Sequence, residues 1–383
     1  MNILFLTTHL NTGGITSYVL ALAKGLKAKG HQVYIVSSGG EALPRFQVAG
    51  INHLAIPIKT KCEFSPRVIL SFFRLAREVQ EKGIDIIHAN TRVTQVLSWL
   101  LSRFTGKPYV STCHGFFRAR LSRRIFPCWG SKVVAVSAQV KDHLVKDFRL
   151  NEADIRLIYH GIEVENFKSQ VTSHPSTEFI PSVVEGLRTG KSQVREKFGL
   201  GEGPVVGIVA RLSAVKGHIY LIEAMQEVLK KIPAAQLMIV GTGRIQPELA
   251  GLAKRLGVEK NIFFIPAVAD TAEALSVMDV FVMPSLQEGL GLGLMEAMAS
   301  GAAVVGSDIG GIKALIQDGS TGRLVRPRDA AGLAQAITDL LNDARKRQSL
   351  GNNAREFIRR NFGFQAMVDE TERLYAECLK RKK

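Results

Sequence analysis

Residues 280–299 read VFVMPSLQEGLGLGLMEAMA, and this stretch decides the fold. Its first four residues, 280–283, are apolar and predict a buried strand that Pro284 ends. Glu288 then lies in a loop at the carboxyl end of that strand, where ligands bind in open α/β sheets, and Glu296 lies near the start of the next helix. Glycines let backbone N–H groups approach a ligand, helix starts favour anions, and carboxylates accept hydrogen bonds from vicinal hydroxyls. The stretch therefore suits a sugar joined to a phosphate.

Strands alternate with helices along the rest of the chain, which predicts parallel sheets. We expect an α/β protein with two doubly wound, Rossmann-like domains that face a cleft. The first domain is predicted to span 1–167, and the second to span 204–361. Residues 168–203 are rich in Ser, Thr, Pro and Gly with little periodicity, so they predict a linker with a polar insertion. The last segment, 362–383, predicts an amphipathic helix with a basic tip.

The composition sets bounds on the class of protein. A length of 383 residues predicts two or three domains, and there is no run of 18 apolar residues, so no transmembrane helix is predicted. The first residues enter a strand at once and lack the features of a signal peptide. The four cysteines are scattered, which favours a reducing cytoplasm over a zinc site or a disulfide framework.

Positive charge is concentrated in the first part of the chain. Residues 1–150 contain 21 Lys and Arg against 7 Asp and Glu, which is a net charge of +14 out of +16 for the chain. The densest segment holds four arginines among apolar residues: Arg118, Arg120, Arg123 and Arg124. This mixture predicts contact with an anionic membrane surface. A solvated basic helix with an apolar core face is the plainer interpretation, and nucleic acid is disfavoured because no motif for it is visible.

Two glycine-containing turns in the first domain are candidate ligand sites. Gly13 and Gly14 open a helix after the first strand, although any strand–helix turn can require glycine. His114 precedes Gly115 directly after another strand, where its imidazole can enter the predicted cleft. A histidine satisfied by local hydrogen bonds is the alternative.

Two turns in the second domain carry cations. Arg211 and Lys216 lie in the loop after its first strand, where an Arg fork and a Lys point charge can bind a diphosphate and stabilise it as a leaving group. Gly241 and Gly243 form a turn after the next strand, with Arg244 behind them, near the predicted nucleotide. The alternative for the cations is a solvated surface pair.

In order and spacing, these motifs resemble the GT-B-fold glycosyltransferases of family 4, which is a retaining group. The resemblance covers essentially the whole chain. It is carried by five motifs: Gly13-Gly14, His114-Gly115, Arg211 with Lys216-Gly217, the stretch 240–243, and Glu288 to Glu296 with the following 297–301.

The resemblance implies a role for each site residue. Glu296 would hold the ribose hydroxyls, Glu288 the hydroxyls of the donor sugar, and Arg211 with Lys216 the diphosphate. His114 would lie beside the transferred sugar on the acceptor side. The backbone of the glycine loop would contact sugar and phosphate, and a second segment would hold the base: Gly289, Leu290, Gly291; Pro266, Ala267, Val268. The last helix would cross back to the N-terminal domain.

The implied reaction transfers a sugar from a nucleotide diphospho-sugar to a hydroxyl acceptor with retention, by front-face attack in which the leaving phosphate takes the acceptor proton. A covalent intermediate on Glu288 is less favoured. Cations replace a metal here, and no Asp-x-Asp motif appears, so neither metal nor cofactor is predicted.

The charge of the N-terminal half favours a lipid-linked, lipopolysaccharide or other cell-envelope glycan acceptor, reached from the inner face of a membrane. A small soluble acceptor remains an alternative. A GT-B-like sugar-nucleotide epimerase and a non-catalytic sugar-nucleotide binding module are the rival functions. The second rival could lose His114, Arg211 or Lys216, and all are present. A dinucleotide dehydrogenase is disfavoured because neither domain starts with Gly-x-Gly-x-x-Gly and a later acidic residue.

Overall fold

Two parallel sheets organise the chain in the computed structural model, which describes residues 1–60, 65–117, 123, 125–167, 190–268 and 270–380. Each sheet belongs to its own unit. The N-terminal unit runs from Met1 to Gly161 and includes the C-terminal helix from Phe364, and the C-terminal unit runs from Ile162 to Gly363. This is the predicted α/β class with two Rossmann-like domains. Most of the predicted linker, 168–189, lies outside the described residues, and 190–197 form a helix.

The sheet of the N-terminal unit has the order β3-β2-β1-β4-β5-β6-β7 among the described residues, and every pair is parallel. Its strands are β1 Asn2–Leu6, β2 Gln32–Ser37, β3 Asn52–Ala55, β4 Ile86–Ala89, β5 Tyr109–Cys113, β6 Lys132–Ala135 and β7 Ile155–Leu157. The central strands are apolar and buried on both faces because helices cover both sides of a doubly wound sheet. The strand order reverses between β1 and β4, which predicts a ligand site there.

The helices of this unit follow the strands in turn. They are α1 Gly14–Ala28, α2 Leu43–Val48, α3 Pro66–Glu81, α4 Arg92–Thr105 and α5 Ala138–Phe148. Two threonines cap the start of α4. Thr91 accepts from the Thr94 amide while the Thr94 hydroxyl accepts from the Thr91 amide, which satisfies two N–H groups that a helix start leaves free.

The sheet of the C-terminal unit has the order β10-β9-β8-β11-β12-β13 in the described part of the chain. Its parallel strands are β8 Val205–Val209, β9 Gln236–Val240, β10 Ile262–Ile265, β11 Val280–Met283, β12 Ala303–Ser307 and β13 Arg323–Val325. Because β8 pairs with both β9 and β11, the order reverses between β8 and β11. The loops that follow these two strands therefore meet at the carboxyl edge of the sheet.

Besides the helix at 190–197, the helices of this unit are α6 His218–Lys231, α7 Gln246–Arg255, α8 Thr271–Ser276, α9 Leu292–Ser300, α10 Gly310–Lys313, α11 Ala330–Asn342 and α12 Ala344–Asn361. Helices α6 and α11 pack against the sheet in one apolar cluster that includes Leu221, Met225 and Ile337. This packing fixes the start of α6, and so fixes the loop before it.

The last helix, α13 Phe364–Lys380, packs in the N-terminal unit against α1. Val368 and Tyr375 are buried in the same apolar cluster as Phe5 of β1. The contact needs glycine at position 25, since a Cβ there would lie 2.3 Å from Cγ2 of Val368. The helix also forms ion pairs through Asp369 and Glu372 with Lys29.

Candidate active site

Two loops of the C-terminal unit meet where its strand order reverses. The loop after β8 carries Arg211 and Lys216, and the loop after β11 carries Glu288. The amide of Leu286 donates a hydrogen bond of 2.8 Å to the carbonyl of Val215, which ties the two loops together. The reversal of a doubly wound sheet is where such folds bind ligands, so the sequence-predicted residues lie at the expected edge.

Lys216 and Glu288 form an ion pair across these loops. Their side chains are 20% and 11% exposed, so the pair is largely withdrawn from water. The Ser285 hydroxyl is 3.4 Å from the same carboxylate oxygen, Oε2 of Glu288. One cation and one carboxylate are thus fixed together at the sheet edge, and Lys216 keeps further N–H donors for another acceptor.

Gly217 allows this pairing because its backbone adopts φ 70°, and a Cβ there would lie 1.9 Å from the carbonyl oxygen of Pro284. Any other residue would push the two loops apart. The glycine next to Lys216 therefore has a packing role that the sequence motif by itself does not reveal.

Arg211 is exposed and makes no hydrogen bond or ion pair with the residues that the structure describes. The backbone beneath it is packed against the turn after β9. A Cβ on Gly241 would lie 2.0 Å from the Ala210 carbonyl oxygen, and a Cβ on Gly243 would lie 1.9 Å from the Leu212 carbonyl oxygen. These two glycines hold the Arg211 loop in place, which is a different use from the predicted proximity to the nucleotide.

The remaining predicted donor residues line the same edge of the sheet in sequence order. Arg244 is exposed in the turn after β9, and the turn after β10 has Pro266 and Ala267 exposed and Val268 half-buried. The structure thus places these residues after the strands on one side of β8. It gives them no contact that identifies a base.

The glycine loop leads into α9. Gly291 caps this helix with φ 92°, and the side chain of Glu288 lies beside it, with Cγ 3.4 Å from the position of a Gly291 Cβ. Gly289 and Leu290 are buried. Glu288 is thus held directly beside the helix start, where backbone N–H groups and the helix dipole favour an anion.

Glu296 lies on the second turn of α9 and is half-buried. The Thr271 hydroxyl donates a hydrogen bond of 2.9 Å to its Oε2. Thr271 was not among the residues that the sequence motifs indicated. The residue before it, Asp270, is the sequence signal that could have indicated it. Asp270 caps α8 by accepting a hydrogen bond from the Ala272 amide, and so places Thr271 at the start of that helix. The threonine orients the carboxylate on which ribose binding was predicted to depend.

His218, the first residue of α6, was also missed. Its side chain is buried, and neither ring nitrogen has a hydrogen-bond partner within the described ranges. Burial, together with the nearby Lys216 charge, lowers its pKa to about 4. The imidazole is therefore neutral beside the lysine and adds no competing positive charge.

In the N-terminal unit, the strand order reverses between β1 and β4, and His114 follows β5, next to β4. Its Nε2 is 3.2 Å from Oδ1 of Asn90. The amide nitrogen of Asn90 faces two carbonyl oxygens, those of Leu6 and His88, so Oδ1 must point to the histidine. His114 therefore donates from Nε2 and keeps Nδ1 as an acceptor. The ring stands edge-on to Tyr18, with the centroids 4.8 Å apart.

A buried polar network lies behind this histidine. His88 is hydrogen-bonded to the Tyr375 hydroxyl at 2.5 Å and to the Thr112 hydroxyl at 2.6 Å, and Thr112 is 3.3 Å from the Tyr18 hydroxyl. Burial lowers the pKa of His88 to about 3. Burial also lowers the pKa of His114 to about 3, with smaller effects from His88 and His160. Both rings are neutral near pH 7, so His114 can accept a hydrogen bond there but carries no charge.

Gly13 caps α1 and Gly14 is its first residue, and both are exposed. Apart from its chain neighbours, no atom of the described residues lies within 4 Å of where a Gly13 Cβ would be. The turn has open space beside it, and the predicted ligand role stays a prediction.

The predicted arginine patch is corrected at one position. Arg123 is only 7% exposed, and its guanidinium lies over the Phe117 ring at 4.3 Å, so it is unavailable to a membrane surface. The side chain is buried because its guanidinium forms a cation–π contact with this aromatic ring. The other three arginines, Arg118, Arg120 and Arg124, lie outside the described residues.

No helix within the described ranges combines the length and the apolar character that crossing a bilayer requires.

Comparison with known proteins finds a matching family model for each half of the chain. Residues 191–357 match the family model of glycosyl transferases group 1, and residues 12–166 match that of Glycosyltransferase Family 4. An uncharacterized glycosyltransferase of Methanocaldococcus jannaschii is 27% identical, over 95% of this chain and 94% of that protein. The phosphatidyl-myo-inositol mannosyltransferase of Mycobacterium leprae is 28% identical, over 95% of this chain and 92% of that protein.

A solved structure shows the same fold. The crystal structure of Anabaena HepE in complex with UDP-glucose superposes with a TM-score of 0.83 and 22% sequence identity, over 98% of this chain and all of that one. Fold, motifs and family models agree on the class of protein, which is a GT-B glycosyltransferase. The chain belongs to the group 1, family 4 glycosyltransferases, and it is a transferase enzyme.

Proposed function

We propose that the protein is a retaining glycosyltransferase that moves a sugar from a nucleotide diphospho-sugar to a hydroxyl of a lipid-linked or cell-envelope glycan acceptor. The C-terminal unit binds the donor and the N-terminal unit binds the acceptor. The observation that carries the proposal is the ion pair between Lys216 and Glu288. It lies where the strand order of the C-terminal sheet reverses, beside the start of α9.

The charges of this site fit a sugar diphosphate. Glu288 pairs with the ammonium of Lys216 and holds it in place, while Arg211 supplies a second cation without a described partner. Glu296, oriented by Thr271, offers acceptor oxygens to the ribose. HepE was solved with UDP-glucose, and this supports a uridine or related nucleotide sugar as the donor here.

The proposed chemistry follows from where charge develops. The bond between the anomeric carbon and the phosphate oxygen breaks, which leaves an oxocarbenium-like sugar and a diphosphate with added negative charge. Lys216 and Arg211 stabilise the leaving diphosphate, and no metal is required. The acceptor hydroxyl attacks the same face, and its proton passes to the leaving phosphate oxygen. His114, neutral with Nδ1 free to accept, positions a hydroxyl of the transferred sugar on the acceptor side.

Two observations support this acceptor class, the positive charge of the N-terminal residues and the name of a similar protein. The N-terminal 150 residues carry a net charge of +14, which favours anionic lipid-linked acceptors on the cytoplasmic face of a membrane, and nucleic acid is disfavoured because the sequence shows no motif for it. The relative from Mycobacterium leprae is named for a phosphatidylinositol acceptor.

The test is a panel of nucleotide sugars, scored by donor-dependent thermal stabilisation and by product NMR with anionic lipid-linked and soluble hydroxyl acceptors. We expect one donor to be consumed in EDTA, with an axial or equatorial linkage that matches the donor anomer. An inverted anomer would overturn retention, and magnesium-dependent rescue from EDTA would overturn the metal-free proposal.

The same panel separates the rival functions. An epimerase would convert the nucleotide sugar in the absence of any acceptor. A binding module would be stabilised by the donor and consume none of it.

A further inference from the structure

Two neighbouring helices of the N-terminal unit present apolar side chains to water. Ile69, Leu70 and Phe73 of α3 are 52%, 72% and 68% exposed, and Phe104 of α4 is 65% exposed. Phe72 links them, since its ring lies 5.2 Å from that of Phe73 and 5.5 Å from that of Phe104. We name these five residues the α3–α4 face.

Of these five side chains, only Phe72 also packs against the core, and the other four are exposed. Helix α3 already buries a separate stripe against the sheet, which includes Val68, Leu75 and Val79. The exposed residues lie around the other side, so the helix is apolar on two sides. Soluble proteins rarely expose contiguous large apolar residues without a partner.

Cations surround the α3–α4 face. Arg67 and Arg74 are exposed on α3, and Arg103 is exposed beside Phe104. The two acidic residues of α3 lie at its far end and are already paired, Glu78 with Lys82 and Glu81 with Arg77. The first three turns of α3 therefore present only positive charge among their apolar residues.

A pocket adjoins this face at the start of α3. It has a volume of about 380 Å³ and is lined by Ser38, Ala55, Ile56, Pro57, Lys59 and Arg67. Two cations at one small cavity suit a phosphate group, with Arg67 shared between the pocket and the helix surface.

We propose that the α3–α4 face docks on a bilayer of anionic phospholipid, with its apolar side chains in the headgroup region. Arg67, Arg74 and Arg103 then contact lipid phosphates, and one headgroup enters the pocket beside Lys59. A helix with apolar residues framed by arginine lies in an interface in this way.

Charge decides between a membrane and a second copy of the chain. A symmetric dimer through this face would bring the cluster of Arg67, Arg74 and Arg103 toward the same cluster of the partner, and no acidic group among the described residues of the face would offset them. An anionic bilayer supplies the complementary charge. The proposal deepens the proposed function, because it brings the enzyme to the surface that holds a lipid-linked acceptor.

The test is co-flotation of the full chain, without donor, on vesicles of phosphatidylcholine alone or with 30% phosphatidylglycerol (a proportion chosen to give substantial negative surface charge). The variant Leu70→Ser/Phe73→Ser removes apolar contact, and Arg67→Glu/Arg74→Glu reverses charge. Matched controls elsewhere on the unit are Val48→Ser, at a side chain that is 91% exposed, and Lys24→Glu. All these positions are exposed, and circular dichroism checks that each variant folds.

We expect binding only to anionic vesicles, a loss of tenfold or more in both double variants, and wild-type binding in both controls. Equal binding of the double variants and the controls would overturn the proposal, as would equal binding to neutral vesicles. A concentration-dependent dimer that the Leu70→Ser/Phe73→Ser variant abolishes, without vesicle binding, would assign the face to a second copy. Donor hydrolysis in solution is measured in parallel, and its retention in the variants separates failure of this surface from failure of the proposed function.

Discussion

At the scale of single residues, the C-terminal site depends on one half-buried ion pair and the groups that hold it. Among the described residues, the Lys216 side chain has one partner, Glu288, which itself has Ser285 beside it. Because the pair is largely withdrawn from water, removing either member leaves the other charge poorly compensated. The lysine is thus set in place before any donor binds.

Replacement of Lys216 by alanine tests its role with the leaving group. We expect kcat to fall by about 100- to 1000-fold, because one lost stabilising contact to a developing anion costs on the order of 3–4 kcal/mol. The measurement is steady-state transfer by the purified variant. Lys230→Ala, at a surface lysine paired with Glu227, is the matched control and should behave as wild type. Normal turnover in Lys216→Ala would refute the assigned role.

Asn90 is a positioning residue for His114. The change Asn90→Leu removes the acceptor that fixes the imidazole tautomer, so we expect kcat to fall about tenfold or more with little change in donor KM. A double-mutant cycle with His114→Ala is the readout, because a structural defect would add to the His114 effect. Strict additivity of the two changes would contradict the positioning role.

At the scale of elements, close packing of helices decides where glycine is required. Gly25 of α1 and Gly251 of α7 both lie inside helices. A Cβ at Gly25 would lie 2.3 Å from Val368, which is fully buried, whereas at Gly251 the nearest atom is 3.6 Å away, at the end of Arg255. Adding a Cβ is therefore expected to disturb the packing at Gly25 and to leave it intact at Gly251.

Alanine at each glycine makes a matched pair. Gly25→Ala should lower the free energy of unfolding of the N-terminal unit by about 1–3 kcal/mol, because it forces α13 away from α1. Gly251→Ala should raise stability by up to about 1 kcal/mol, because it reduces the flexibility of the unfolded chain. Urea unfolding measures both, and destabilisation of similar size in the two variants would contradict the packing argument.

The strands that sequence patterns predicted most directly are short runs of apolar residues. Examples are β11, which is apolar throughout, and β1, which is apolar from Ile3 to Leu6. Helix α12 was not predicted, because Leu350, Ala354 and Ile358 form only a narrow buried stripe in a polar helix. Its place depends on contacts with α9 and β12, which no local pattern contains.

At the scale of the whole molecule, neutral buried histidines link stability to pH. Burial lowers the pKa of His88 to about 3 and that of His160 to about 4, from the ordinary 6.5. Both are in the N-terminal unit. The unfolded chain binds protons at these groups below about pH 6.5, and the folded chain does so only near pH 3–4. Their full contribution to stability is therefore present above pH 6.5 and is lost as pH falls.

We expect the unfolding midpoint of the N-terminal unit to fall between pH 7 and pH 5, with each of these rings contributing up to about 1.4 kcal/mol per pH unit. Thermal unfolding at several pH values measures it. The variant His160→Leu should reduce the change of the unfolding free energy with pH by the contribution of one ring. A midpoint that does not change from pH 7 to pH 5 would show that these rings are accessible to protons in the folded state.

The sequence by itself determined the alternation of strands and helices, the two-domain class and the family, because apolar periodicity and glycine spacing are local properties of the chain. It also placed Lys216 and Glu288 after their strands. Only the tertiary structure decided that these two side chains pair, that Thr271 orients Glu296, and that Arg123 is buried. Each of these contacts joins segments whose separation depends on strand order, packing and the direction of side chains, and none of that is written in the spacing of neighbouring residues.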